Sequence, residues 1–304
     1  MLNFVIKRTV SMIVVILFIV TLTFVLMHAI PGSPFTDKKK LPESIRKNIE
    51  KRYHLDEPFL KQYCDYILNM FKGDLGLSLR YEGRRVNDII KKGFPVSATL
   101  GLLSIFFSLM TGIPLGILSA IKHRMWIDRF ILVLTTFAAS VPGFVSATVL
   151  IYFFSVKLGW FPAALWGSPS QMVLPVLALS LYPGALIARL MRNSMVDVLS
   201  QDYISVVRAW GLPCYAVIWK HAFKNAVLPI ITHLGPMSAG ILTGSFVIEK
   251  IFALPGLGQH FVTSIINRDY TVIMGVTVFY SVLLVLMNFL VDMVCCFIDP
   301  RVKM

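Results

Sequence analysis

The chain has 304 residues, of which 56% are hydrophobic and only 15% charged, with a mean hydropathy of +0.73 and a net charge of +13. A soluble fold of this length has no interior large enough for so much apolar surface, so the class is an all-α polytopic membrane protein. The basic excess does not by itself point to nucleic acid; where the charges fall decides what they mean.

Six apolar runs, 9–30, 96–121, 130–156, 172–191, 226–248 and 271–295, are long enough to span a membrane. A hydrocarbon core of about 30 Å takes roughly 20 helical residues. Lys7 and Arg8 before the first run give it the charge order of a signal peptide. Its apolar stretch is too long for a signal core, and Met27 to Gly32 offers no small-x-small cleavage site, so it reads as a retained anchor. Residues 1–30 therefore form a tail and first span. Residues 31–95 form an extracytoplasmic helical segment, and residues 96–304 a core of five further spans.

The outer segment opens on a turn, Pro31-Gly32-Ser33-Pro34-Phe35, and continues as two helices. The second has Asp56 as N-cap, Pro58 in its first turn and a stripe of Tyr63, Tyr66, Ile67 and Met70. That apolar face either packs on the tops of the spans or receives an extracytoplasmic partner. In the second span Gly112 and Gly116 flank Pro114, and in the fifth Gly240 and Gly244 follow Gly235-Pro236. Small residues four apart allow close helix approach, which suits static packing and rocking helices equally. Pro142-Gly143 and Pro183-Gly184 predict breaks in the third and fourth spans. Broken helices occur at that depth where the backbone is buried in protein or faces water, so these four residues, with Gly240 and Gly244, either line a translocation path or mark simple kinks.

The short segments 1–8, 122–129, 189–224 and 298–304 hold two, three, five and two Lys or Arg, against only Lys157, Lys250 and Arg268 in the short segments on the other side; the fourteen in 31–95 lie in a loop too long to count and are offset by nine acids. That asymmetry places both termini and the loop 192–225 in the cytoplasm. Cys64 stands alone in the outer segment while Cys214, Cys295 and Cys296 are cytoplasmic or near it, so neither a disulfide framework nor a metal-ligand spacing is expected. Asp292 is the only acid inside an apolar run, close enough to the cytoplasmic end to snorkel or meet a basic partner.

Within the cytoplasmic loop, Tyr203, Val206, Val207 and Trp210 fall at helical spacing, and Tyr215, Ile218, Trp219 and Ala222 repeat it. Gly211 can end the first helix at positive φ, and Pro213 suits the first turn of the second. A basic helix-turn-helix is also a DNA-binding pattern, but membrane-spanning runs on both sides argue against nucleic acid. The stretch resembles the EAA loop of ABC importer permeases, the segment that docks on the ATPase subunit. Gly211 holds the place of its glycine, while Ser205, Val206 and Val207 replace Glu-Ala-Ala, and His221, Phe223 and Lys224 replace Ile, Leu and Pro. The version found in peptide transporters fits far better. It is matched at Asp202, Tyr203, Arg208, Ala209, Gly211, Leu212, His221, Ala222, Asn225, Ala226, Leu228 and Pro229. With Phe94-Pro95-Val96-Ser97-Ala98, Glu249 to Gln259, Asn267-Arg268-Asp269-Tyr270 and Asp299-Pro300, the whole chain is similar to the B subunit of bacterial oligopeptide permeases.

That resemblance implies a permease subunit of an ATP-driven oligopeptide importer in the bacterial plasma (inner) membrane. Its partners would be a second homologous permease, two ATP-binding subunits, an extracytoplasmic solute-binding protein and membrane lipid. It also implies ATPase coupling through Asp202, Tyr203, Val207, Arg208, Ala209, Trp210, Gly211, Leu212, His221 and Asn225, with Tyr203, Val207 and Trp210 filling a groove on the ATPase. The same branch carries dipeptides, glutathione, nickel and antimicrobial peptides, so the cargo stays open. The sequence has no Gly-Lys pair and hence no GxxxxGK[ST] motif, so ATP and magnesium are expected on the partner subunits, with no catalytic residue and no cofactor here. An ion-driven carrier, the alternative class, usually needs ionisable groups near mid-membrane that these spans lack.

Overall fold

The computed structural model describes residues 2–29, 57–81 and 83–298, without the side chains of 2–5 and 295–298. The turn at 31–35, the first expected outer helix, the Asp56 cap and Asp299-Pro300 lie outside the described residues. Five helices among those described are long and apolar enough to cross a membrane, and a bent pair supplies a sixth if it is counted as one span. The chain divides into two units, Met1–Val96 with Gly256–Val285, and Ser97–Pro255 with Leu286–Met304.

In the first unit, α1 (Leu2–Ala29) is contacted by α2 (Phe59–Phe71), which starts directly after Pro58 with no side-chain cap. The first residues of α3 (Val86–Ile121) pack with α11 (Leu257–Ile266) and the first half of α12 (Tyr270–Ile298). Val86, Ile89, Ile90, Leu257, Val272 and Val276 are the core of this packing, closed by an edge-to-face contact of Phe94 and Phe279 at 4.8 Å. Small residues set how closely the pieces approach. A Cβ on Gly93 would stand 3.1 Å from the backbone of Leu257, and one on Gly275 would stand 2.6 Å from Val86 Cγ1.

In the second unit, the rest of α3 lies along α6 (Pro169–Leu199). The N-terminus of α6 is fixed by Ser168, whose amide donates to Gln171 Oε1 at 3.0 Å, and by Pro169 in its first turn. Ser104 and Ser108 donate to the carbonyls of Val176 and Ser180, and Cβ atoms on Gly112 and Gly116 would stand 2.7 Å and 2.6 Å from the carbonyl oxygens of Gly184 and Ala188. These residues stand four apart along each helix, so one small-residue seam joins the two. The break expected at Pro183-Gly184 is absent: α6 runs through without interruption, because Pro183 is buried and Gly184 is part of the seam.

The break expected at Pro142-Gly143 is present. α4 (Trp126–Ser140) and α5 (Gly143–Leu150, continued by a wide π-helical stretch Ile151–Lys157) meet at 103°. Pro142 supplies the first helical carbonyl of α5, accepting from the amides of Val145 and Ser146. α7 (Asp202–Ala209) follows α6. Then comes α8, built from Cys214–Ala216, a π-helical turn Val217–Ala222 and Phe223–Ala226. α9 (Leu228–Leu242) and α10 (Phe246–Ile251) complete the unit with the end of α12.

The seam gives a test. Gly116→Ala forces a methyl against backbone, which overpacks at a cost of about 1–3 kcal/mol. Gly240→Ala meets nothing within 4 Å. The expected result is a lower thermal midpoint for Gly116→Ala in detergent and an unchanged or slightly higher one for Gly240→Ala.

Candidate functional site

The polar loop between α6 and α9 folds as a helix-turn-helix. Asp202 in the first turn and Arg208 in the last turn of α7 both match the helix dipole. Gly211 ends it at φ +75, its amide donating to the carbonyl of Arg208 at 3.0 Å, and its missing side chain faces open space. Glycine is thus required there by backbone conformation and not by crowding. Pro213 stands one position before the first turn of α8 and accepts from the amides of Ala216 and Val217.

The two apolar stripes read from the sequence do not each form one buried face. Ile204, Val207, Val217, Ile218, Ala222 and Ala226 turn inward and join Ile117, Ile187, Met191, Met195 and Val198 in a single core. Tyr203 is partly buried against that core, and its hydroxyl accepts from Asn225 Nδ2 at 2.9 Å, which ties α7 to α8. His221 is half-buried, and Ala209 is exposed. The outer face keeps Val206, Trp210, Leu212, Tyr215 and Trp219, with Trp210 at 70% and Tyr215 at 69% exposure. Val207, at 6%, belongs to the interior of its own chain. Ile204, Val217 and Ala226 are the inward residues outside the two stripes. An inward position cannot be told from an outward one when both sides of a helix are apolar.

The expected path residues separate. Gly143 leaves the bend open, with Ile248 Cδ1 at 3.9 Å from its Cβ position, and Gly240 faces open space. Gly184 is in the seam. Gly244 turns the chain at φ +89, with the Glu249 carboxylate and Ser97 Oγ in the space where a side chain would go. Glu249 is fully buried; Ser97 donates to its Oε1 at 2.7 Å, and its carbonyl accepts from Leu254 N at 2.8 Å. Asp292 is half-buried near the end of α12.

A second buried acid, not singled out in the sequence, holds the end of α3 to α6. Asp128 accepts from Arg192 Nε at 2.6 Å and Nη2 at 2.8 Å, from Ser119 Oγ at 2.6 Å and from the amide of Arg124 at 2.9 Å. His123 Nδ1 lies 3.2 Å from Arg192 Nη2. The available signal was a single acid opening an apolar helix just after the basic run Lys122-His123-Arg124.

Residues 112–304 match the family model of the binding-protein-dependent transport system inner membrane component, and residues 1–101 match the N-terminal model of such membrane components. The chain belongs to this family. Among similar proteins, the dipeptide transport system permease protein DppB of Bacillus subtilis (strain 168) is 49% identical over 304 residues, 100% of this chain and 99% of that one. The oligopeptide transport system permease protein OppB of Haemophilus influenzae is 41% identical over 305 residues, covering 100% of both. A chain of the MetNI methionine ABC transporter in an inward-facing conformation aligns with TM-score 0.59 at 19% identity, over 69% of this chain and 96% of that one. A chain of an amino acid ABC transporter aligns with TM-score 0.52 at 16% identity, over 71% and 95%. These two show a shared fold. The family and the apolar helices make this a multi-pass inner-membrane component of a transport system, with the six spans expected from the sequence.

The Asp128–Arg192 pair is testable within that fold. Asp128→Asn leaves a guanidinium in a site of 15% exposure without its partner, a loss of about 3 kcal/mol for a buried pair broken on one side. The expected outcome is a clear fall in thermal midpoint for Asp128→Asn, partly restored in the double variant Asp128→Asn with Arg192→Met. Additive losses would show that the two side chains do not act as a pair.

Proposed function

We propose that this chain forms half of the translocation pathway of an ATP-driven importer of short peptides. It pairs with a second homologous permease, docks on two ATP-binding subunits and is supplied by an extracytoplasmic solute-binding protein. ATP and magnesium are assigned to the partner ATPases, with no catalytic residue or cofactor in this chain. The bacterial inner membrane is its location, with both termini cytoplasmic in accord with the distribution of Lys and Arg.

The observation that carries the coupling role is the outer face of α7 and α8. Large apolar side chains exposed on a water-facing segment mark a surface that a partner covers. Trp and Tyr, with Arg208 nearby, are the residue types that anchor interfaces. Trp210, Tyr215 and Trp219 take the groove-filling role, replacing Tyr203 and Val207, which face their own chain. Asp202 and Arg208 serve as rim charges, and Leu212 adjoins Gly211 at the turn. Ala209 is exposed beside Trp210, His221 is half-buried, and Asn225 keeps the two helices in register through Tyr203. Because the inner face shares one core with α6 and the end of α3, closure of the ATPase pair would move these helices together. Alternating access then follows as a shift between two arrangements. Pro142, Gly143, Gly240 and Gly244 are assigned to the pathway, and Pro183 and Gly184 to helix packing.

For the cargo, the oligopeptide reading comes from the motif resemblance. The relative at 49% identity is named for dipeptides and the one at 41% for oligopeptides, which favours peptides at the short end. The test is purification of the tagged chain from its native membrane, with ATPase activity measured against binding protein loaded with dipeptides or with longer peptides. Co-purifying ATPase chains whose activity rises with one loaded form support the reading and select the cargo; a lone chain without ATPase activity overturns it.

Two substitutions separate docking from folding. Trp210→Ala and Trp219→Ala are each expected to weaken ATPase attachment by about 30-fold, as for interface anchors of about 2 kcal/mol. A Cβ at Gly211 meets nothing within 4 Å, but Gly211→Leu must hold a left-handed conformation costing about 1–2 kcal/mol, so the chain should fold while transport falls. Full recovery of ATPase subunits and normal transport in these variants would count against docking through this face.

A further inference from the structure

The short helix α2 has more apolar surface than its contacts with protein use. Its contacts with α1 are specific: Tyr63 OH lies 2.7 Å from Thr21 Oγ1, and the ring of Phe24 lies 5.3 Å from Phe59 and Tyr63 and 5.9 Å from Tyr66. His28 reaches the Phe59 ring at 5.4 Å and Gln62 Oε1 at 3.1 Å. At about 100° per residue, Phe59, Tyr63 and Tyr66 occupy one sector of the helix with Met70. The adjoining sector holds Leu60, Cys64, Leu68 and Phe71, all exposed. Further round the helix, Lys61, Asp65, Asn69 and Lys72 form a polar strip.

Position relative to the spans says what covers the bare sector. Thr21 stands eight residues inside the end of α1 at Ala29, about 12 Å along a helix rising 1.5 Å per residue. At its other end α2 leads to Leu75 and Gly76. Leu75 Cβ stands 3.2 Å from the Cβ position of Gly275, and Thr271 Cγ2 lies 2.8 Å from that of Gly76. Both partners are in the first two turns of α12. So α2 lies across the same ends of two spans, at or below their level. The neighbouring surface of α1 is itself bare: Phe18, Leu22, Val25 and Leu26 are exposed, and only 11% of the most apolar window of that span is buried. The apolar sector of α2 therefore adds to a bare apolar surface at the level of the span, and its polar strip lies about 100° further round the helix.

We propose that α2 is an interfacial membrane helix. The stripe Leu60-Cys64-Leu68-Phe71 inserts into the acyl region of the leaflet opposite the amino terminus, and Lys61, Asp65, Asn69 and Lys72 lie toward headgroups and water. Helices with this division of faces settle with the apolar side about 5–10 Å into the headgroup–acyl boundary. The outer segment is then held by the bilayer as well as by α1, which fixes the level at which the preceding residues leave the membrane.

Cys64 places a natural probe in the middle of the stripe. The full-length chain with Cys214, Cys295 and Cys296 replaced by Ser is labelled at Cys64 with a nitroxide. It is reconstituted with its co-purified partners into phosphatidylethanolamine–phosphatidylglycerol vesicles. Collisions with oxygen, which enters lipid, are compared with collisions with a water-soluble nickel chelate. The expected result is oxygen dominating at Cys64, at a depth of about 5–10 Å, and nickel dominating at a label on Asn69→Cys in a Cys64→Ser background. Nickel dominating at Cys64 would overturn the proposal in favour of a water-exposed face. Low collision rates with both reagents would overturn it in favour of a covering protein, the second permease or the binding protein.

Discussion

The second unit depends on how closely two helix backbones can approach. Along α3 and α6, Ser104 meets Val176, Ser108 meets Ser180, Gly112 meets Gly184 and Gly116 meets Ala188, every pair 72 residues apart. A constant offset means two parallel helices in fixed register over about three turns. Within a bilayer, apolar side chains gain nothing by leaving lipid for protein, so association rests on van der Waals contact and on hydrogen bonds between helices. Glycine and serine supply both: glycine by removing the side chain that would hold the backbones apart, serine by donating to its own helix and across the seam. Pro183 can sit in mid-helix because its surroundings are packed protein.

What α6 carries follows from that register. At one end the Asp128–Arg192 pair and the hydrogen bond from Arg189 Nη2 to the carbonyl of Thr135 fasten α4 to it. Beyond them Met191, Met195 and Val198 extend into the core under α7 and α8. The loop helices thus share buried surface with the seam helices and do not hang from a flexible tether. Under the proposed docking, a displacement at Trp210 or Trp219 passes through Ile204, Val207 and Ile218 to α6 in one packed body, and Gly211 lets the outer residues project without loosening the inner ones.

Much of this was legible in the sequence, and the failures have a common cause. Apolar run lengths gave the spans, Gly211 gave the turn and Pro142-Gly143 gave the bend. What hydrophobicity cannot say in a membrane protein is whether an apolar side chain faces lipid, its own chain or a partner. Val206 and Val207 are adjacent and chemically identical, yet one is outside and the other inside; Gly184 and Gly240 both read as flexible points, yet one is locked in a seam and the other faces open space. Likewise the stripe Tyr63-Tyr66-Ile67-Met70 follows from spacing, while the role of the bare stripe beside it does not, because nothing in the sequence sets the depth of α2. Proline at 183 misled because a missing amide hydrogen is a local property, whereas helix continuity there is decided by the neighbouring helix.

The buried acids follow a rule of their own. Among the described residues they are Asp128, Glu249 and Asp269, and each sits beside backbone that departs from regular helix. Asp128 accepts the amide of Arg124, which has φ 63. Asp269 follows Arg268 at φ 55 and gathers the amides of Leu79 and Arg80 and the hydroxyl of Ser78. Glu249 fills the space left by Gly244 at φ 89, and its carbonyl holds Leu254 next to Ala253 at φ 51. A non-glycine residue at positive φ costs about 1–2 kcal/mol, and backbone amides freed at helix ends need acceptors where water is scarce. At Asp128, which is paired with Arg192, the carboxylate meets that need better than a neutral group, because hydrogen bonds to an ionised acceptor are the stronger kind. The three buried acids among the described residues therefore sit where helices stop and turn, which leaves those helix ends defined.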